Sequence, residues 1–143
     1  MSLGLYLHIP YCFSKCRYCD FYSHPGERGV PEAYVDALVR ELSRFAPEVP
    51  LQPDTLYFGG GTPSLLRPEQ AKRLIDAARP MPGAEITLEA NPETVTEESL
   101  AGFREAGVNR ISFGVQSARD TQLRTLGRPH TAKQARAAFA AAR

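Results

Sequence analysis

The spacing of apolar residues along the chain switches repeatedly between two and three to four. Leu5, Leu7 and Ile9 alternate with Tyr6 and His8, which predicts a strand over Leu5–Ile9. After a loop holding Pro25, Gly26 and Gly29, the run PEAYVDALVRELSRF predicts a helix opening on Pro31. Tyr34, Leu38 and Leu42 fall on one stripe of it, with Val35 and Phe45 alongside. A second strand is expected over Thr55–Phe58, then a glycine turn and a helix from about Pro68 to Ala78. Glu85–Ala90 reads as a third strand, and Thr96 as the cap of a helix ending at Gly107. Arg110–Gln116 reads as a fourth strand, followed by a helix capped by Thr131.

Four consecutive strand–helix units predict parallel strands with outer helices, in a doubly wound sheet or part of a (β/α) barrel. If helices cover the aliphatic faces, Tyr6, His8, Glu89 and Gln116 project to the other side. The unusual segments follow the strands in turn: the cysteine loop, GGGTP, NPET and SARD. Such folds place their chemistry at the C-terminal strand ends, so all four segments should meet on one rim.

Composition is that of an ordinary globular domain, 43% hydrophobic and 23% charged over 143 residues. The net charge of +1 and the scattered basic residues give no nucleic-acid footprint. No apolar run is long enough for a membrane helix, and the start of the chain lacks a basic leader. These features lead to an expectation of a cytoplasmic protein.

The candidate chemistry lies in YCFSKCRYCDFYS, which holds every cysteine: Cys12, Cys16 and Cys19. Three cysteines in eight residues favour metal binding over disulfides. The spacing Cys-x₃-Cys-x₂-Cys can wrap three corners of an iron–sulfur cubane and leave one iron open to an exogenous ligand. An electron-carrying [4Fe–4S] centre normally takes four thiolates, and a structural zinc site is likewise closed. His8 could supply a fourth ligand, but it stands in a strand ahead of Pro10.

This loop resembles that of radical S-adenosylmethionine (SAM) enzymes. Five ordered segments, LYLHIPYCFSKCRYCDFYS, LYFGGGTPSLL, EITLEANPET, GVNRISFGVQS and LRTLGRPHT, resemble the oxygen-independent coproporphyrinogen III oxidase family. The resemblance implies that Cys12, Cys16 and Cys19 hold a [4Fe–4S] cluster whose open iron binds SAM. It implies SAM contacts at Tyr6, Tyr18, Gly60, Gly61, Thr62, Glu89, Gln116 and Arg128. One-electron reduction of SAM to methionine and a 5′-deoxyadenosyl radical is the implied chemistry, with flavodoxin or ferredoxin as the kind of electron donor. No general acid or base can be assigned.

One departure separates two branches of the family. The oxidase carries a further cysteine two positions after the third ligand, where this chain has Asp20 and Phe21. The Cys-Asp-Phe ending resembles the haem chaperone branch, which binds haem and passes it to acceptor proteins. That reading ranks first, with haem as ligand and any membrane contact made through an acceptor. Oxidative decarboxylation of a porphyrinogen ranks second, and a structural zinc module is the third alternative. For an axial haem ligand His24 and His130 are candidates, without a preference between them. The family has about six strand–helix units and a further C-terminal domain. Residues 1–143 are therefore expected to be the N-terminal part of a radical SAM core, with four units, the later units and that domain being absent.

Overall fold

Strand β1 (Gly4–Ile9) leads into a short strand β2 (Tyr11–Cys12), which pairs in parallel with β3 (His24–Pro25) across the cysteine loop. Helix α1 (Glu32–Phe45) follows, then β4 (Thr55–Gly60), α2 (Pro68–Ala78), β5 (Glu85–Ala90), α3 (Glu97–Ala106), β6 (Arg110–Phe113), α4 (Asp120–Leu126) and α5 (Ala132–Ala141). This is a computed structural model, and it describes residues 2–45 and 52–143. β1, β4, β5 and β6 form one parallel sheet in that order. The α/β architecture matches the expected arc of a (β/α) barrel, with helices outside the strands.

Register fixes what each face carries. Leu7 pairs with Phe58, Phe58 with Leu88 and Leu88 with Ile111, giving an apolar row across all four strands. Leu5, Leu56 and Ile86 form a second row. With Val35, Leu74, Ile75 and Phe103 from the helices these rows make the core. Complete burial of Leu56, Phe58 and Leu88 contributes about 1.5–3 kcal/mol for each side chain. On the opposite face, Tyr6 pairs with Tyr57 and Tyr57 with Thr87. The predicted alternation is therefore correct, and this second face lies open beside Tyr6, which is 53% exposed.

Helix boundaries follow local chemistry. Thr96 and Thr131 each accept a hydrogen bond from the amide three residues on, and Ser99 and Gln134 return it. Gly107 ends α3 in the left-handed region, as its position suggested. On the outer surface, Arg73 pairs with Glu32 and Asp36, joining α2 to α1. Buried Gln70 donates to the carbonyl of Val30 and to Glu32.

Two expectations need correction. The fourth strand ends at Phe113 rather than Gln116. The guanidinium of Arg128 takes the carbonyl of Gly114 at 2.7 Å and the ring of His130 takes that of Val115 at 3.0 Å. Side chains, joined at Val115 by the Ser117 amide at 2.8 Å, claim these acceptors in place of a neighbouring strand, and the backbone turns so far that Gln116, inside that tight turn, has φ +66°. The second correction is helix α4, seven residues long with Leu123 its buried side chain, in a stretch to which the sequence assigned no element. No helix among the described residues is long and apolar enough to cross a membrane.

Candidate functional site

The cysteine loop is clamped at its base and its far side. The amide of His24 donates to the carbonyl of Pro10 at 2.6 Å, and that of Glu27 to Cys12 at 3.0 Å. The amide of Arg17 donates to the carbonyl of Leu126, pinning the loop to the end of α4. Cys12 is buried, Cys16 and Cys19 are half-buried, and all three are free thiols.

The glycine turn after β4 presses directly on this loop. The amide of Gly61 donates to Ile9 and that of Thr62 to Tyr11, each at 2.8 Å. A Cβ on Gly61 would lie 2.7 Å from the Tyr11 carbonyl oxygen and 3.0 Å from the Cys12 sulfur. Gly60 has φ +115°, and a Cβ there would lie 2.6 Å from the His8 ring. Only glycine permits this approach. The hydroxyl of Thr62 donates to the Cys12 sulfur at 3.5 Å.

Glu89, next to last in β5, is a half-buried carboxylate that accepts from the Tyr57 hydroxyl at 2.7 Å and the Gly60 amide at 3.3 Å. Burial first, and the bond to Glu89 second, raise the Tyr57 phenol above its ordinary value, so it remains a donor. Arg128, 8% exposed, is the most connected cation of the site. It donates to the Cys16 sulfur at 3.2 Å, to Asn91 Oδ1 at 2.6 Å and to the carbonyl of Gly114. Burial works against its charge, but the bond to Cys16 and the charges of Cys16 and Glu93 outweigh it and hold the guanidinium above its ordinary value. Its Nε is buried without a partner among the described residues.

These groups surround one cavity of ≈ 290 Å³, lined by Cys12, Cys16, Cys19, Tyr18, Gly60, Gly61, Thr62, Glu89, Gln116 and Arg128. Ten expected site residues thus meet at the C-terminal ends of the strands. Tyr6 stands apart, stacked 6.0 Å from Tyr57 and bonded at 3.2 Å to His8. It reaches the cavity wall through Tyr57 and Glu89. Sequence reasoning did not single out Asn91, which bridges Thr62 and Arg128, or the buried pair of His130 and Glu93. The NPET segment that holds Asn91 and Glu93 was placed on the rim, but nothing local in it distinguishes those two side chains.

The donor set fits a cluster and a zwitterionic ligand. Three thiols face a common space bordered by glycine backbone, a carboxylate and a guanidinium with an unspent N–H. Among the described residues no three metal-ligating side chains converge on a single ion.

Comparison with known proteins bears directly on this arrangement. Residues 6–143 match the radical SAM superfamily. The chain belongs to that superfamily. Membership implies a [4Fe–4S] cluster and SAM. The heme chaperone HemW of Escherichia coli is 44% identical over 142 residues, covering 95% of this chain and 38% of the relative. HemW of Mycobacterium tuberculosis is 41% identical, covering 94% and 37%. The mitochondrial radical S-adenosyl methionine domain-containing protein 1 of Bos taurus is 42% identical, covering 92% and 31%. Among solved structures, the radical SAM coproporphyrinogen III oxidase HemN of Escherichia coli superposes with a TM-score of 0.88 at 31% identity, covering 99% of this chain and 34% of that one. The cobalamin-dependent enzyme OxsB shares the fold, with a TM-score of 0.65 at 18% identity. The chain therefore spans little more than a third of the length of the curated relatives it matches.

Proposed function

We propose that this chain is the cluster- and SAM-binding part of a haem chaperone, and that residues 1–143 are the N-terminal part of its radical SAM core. The observation that carries the reading is the single cavity in which three cysteine thiols, the Gly60–Thr62 turn, Glu89 and Arg128 meet. In this reading Cys12, Cys16 and Cys19 hold three corners of the cluster. The backbone of Gly60 and Gly61, with Thr62, Glu89, Gln116, Arg128, Tyr18 and more distantly Tyr6, receives SAM. The cluster and SAM, when bound, supply one-electron chemistry at a sulfonium centre, with flavodoxin or ferredoxin as the kind of donor.

The chain's own residues would do the positioning. Glu89, held by two donors, offers an oriented negative charge to an ammonium or to hydroxyl groups. Arg128 offers positive charge and its unpartnered Nε–H to a carboxylate. The Cys-Asp-Phe ending at Asp20 and Phe21, together with 44% identity to a haem chaperone, favours haem transfer over porphyrinogen decarboxylation. As an axial ligand His24 is favoured over His130. His24 is exposed, with a long 3.4 Å contact to the Tyr22 hydroxyl, whereas both nitrogens of His130 are engaged.

Anaerobic reconstitution with iron and sulfide tests the reading. The expected results are a brown protein with labile sulfide, SAM binding, and a Soret band on titration with haem. Decarboxylation of coproporphyrinogen coupled to SAM cleavage would replace the chaperone by the oxidase. A colourless zinc protein would overturn both.

A further inference from the structure

We propose that His130 is a positioning residue of the cavity and that it acts with hydrogen on both ring nitrogens, as an imidazolium clamped between Glu93 and the carbonyl of Val115. The inference rests on the reading above, in which Gln116 and Arg128 receive SAM.

The ring is fully buried, with relative exposure of the whole residue at 2%. Nδ1 lies 3.0 Å from Glu93 Oε2 and Nε2 lies 3.0 Å from the Val115 oxygen. A carbonyl accepts and cannot donate, so Nε2 must carry hydrogen. The carboxylate of Glu93 is likewise an acceptor when ionised, so Nδ1 must carry hydrogen as well. With Glu93 ionised, a neutral ring, which has one N–H, would leave one of these buried bonds unmade. The charged groups around the ring are Glu93, from the turn after β5, and Arg128, two residues back in its own turn. Asp120 on α4 accepts from the Ala132 amide at 2.8 Å, and the segment after β6 gives the ring its Val115 carbonyl.

What the ring holds gives it a part in the site. Arg128 and His130 grip consecutive carbonyls, Gly114 and Val115. The next residue is Gln116, whose φ of +66° is a conformation that a side chain adopts only when its surroundings enforce it. Gln116 lines the cavity, and Arg128 reaches Cys16 from the same turn. Glu93 ties this assembly to the segment that carries Asn91, a partner of both Arg128 and Thr62. His130 thus fixes the wall formed by Gln116 and Arg128 without touching the cavity itself.

The test has two independent arms on the full chain. Long-range ¹H–¹⁵N spectra of the apo protein near neutral pH should show both His130 nitrogens bearing hydrogen, in slow exchange with water. Glu93→Gln should return the ring to a single N–H. A wild-type ring with one bare nitrogen overturns the proposal. In the second arm SAM affinity is measured on reconstituted protein. His130→Gln and Glu93→Gln are expected to weaken it about tenfold, the scale of one lost charged hydrogen bond. Unchanged affinity in both variants overturns the proposal. Failure of the unmodified protein to bind SAM would instead strike the reading of the cavity, leaving the first arm to decide the clamp. If His130→Gln does not fold, Glu93→Gln and the spectra still decide it.

Discussion

The guanidinium of Arg128 lies 3.2 Å from the sulfur of Cys16, a contact between positions 112 residues apart. It joins the first loop of the chain to the turn before its last helix, across the mouth of the cavity. Arg128 also supplies donors to Asn91 and Gly114, so one side chain binds three segments together.

Arg128→Met should therefore cost more than a surface arginine would. It leaves the Asn91 oxygen and the Gly114 carbonyl without their donor, at a cost on the order of 1–3 kcal/mol for the buried groups. Urea unfolding of the apo protein should show a lower midpoint with an unchanged slope. An unaltered midpoint would mean that water replaces the guanidinium freely.

Asn91→Ala removes the link from Arg128 to Thr62. Because Asn91 and Arg128 share a hydrogen bond, a double-mutant cycle between them should show coupling of roughly 0.5–3 kcal/mol. Additive effects would count against the network.

Two glycine substitutions separate steric contact from backbone strain. Gly61→Ala drives a methyl onto the Tyr11 carbonyl and the Cys12 sulfur, with an expected loss of about 1–3 kcal/mol. Iron uptake on reconstitution should fall with it. Gly83→Ala has φ +83° and open space around the new Cβ, so it meets only the left-handed penalty of about 1–2 kcal/mol. Its iron uptake should stay normal. Equal iron losses in both would show that the close approach at Gly61 is not what shapes the thiol loop.

The phenols of Tyr34 and Tyr57 are raised above the ordinary tyrosine value, each chiefly by burial. Groups held protonated in this way contribute stability below the unfolded tyrosine range, and that contribution is lost as pH climbs through the folded value. Absorbance titration of phenolate should lag that of the unfolded chain at alkaline pH. Tyr57→Phe should shorten the lag and release one donor from Glu89. Coincident titration curves for folded and unfolded protein would contradict the burial of these rings.

Much of this was legible in the sequence. Alternation at Leu5, Leu7 and Ile9 and at Ile86 and Leu88 gave the strand faces, because burial on one side enforces a period of two. The cysteine spacing, the GGGTP turn and Glu89 identified the rim. The end of the fourth strand was not legible, because it is set by carbonyls claimed from residues 128 and 130. Helix α4 buries Leu123 alone, too little for a periodic signal, although Gly127 stood ready as its cap. The importance of Asn91, Glu93 and His130 lies wholly in long-range contacts. His130 stood only beside His24 as a candidate haem ligand and is among the most buried polar residues.

The shared register of the four strands has a further consequence. Residues that fill the interior and residues that face the thiols are interleaved on the same backbones, one after the other. Sliding any strand by a single position would exchange the two sets, sending Leu88 toward the thiols and Glu89 into the oil. Correct folding and correct chemistry are thus one decision, and a chain that misaligns its sheet has no way to assemble half of the pocket.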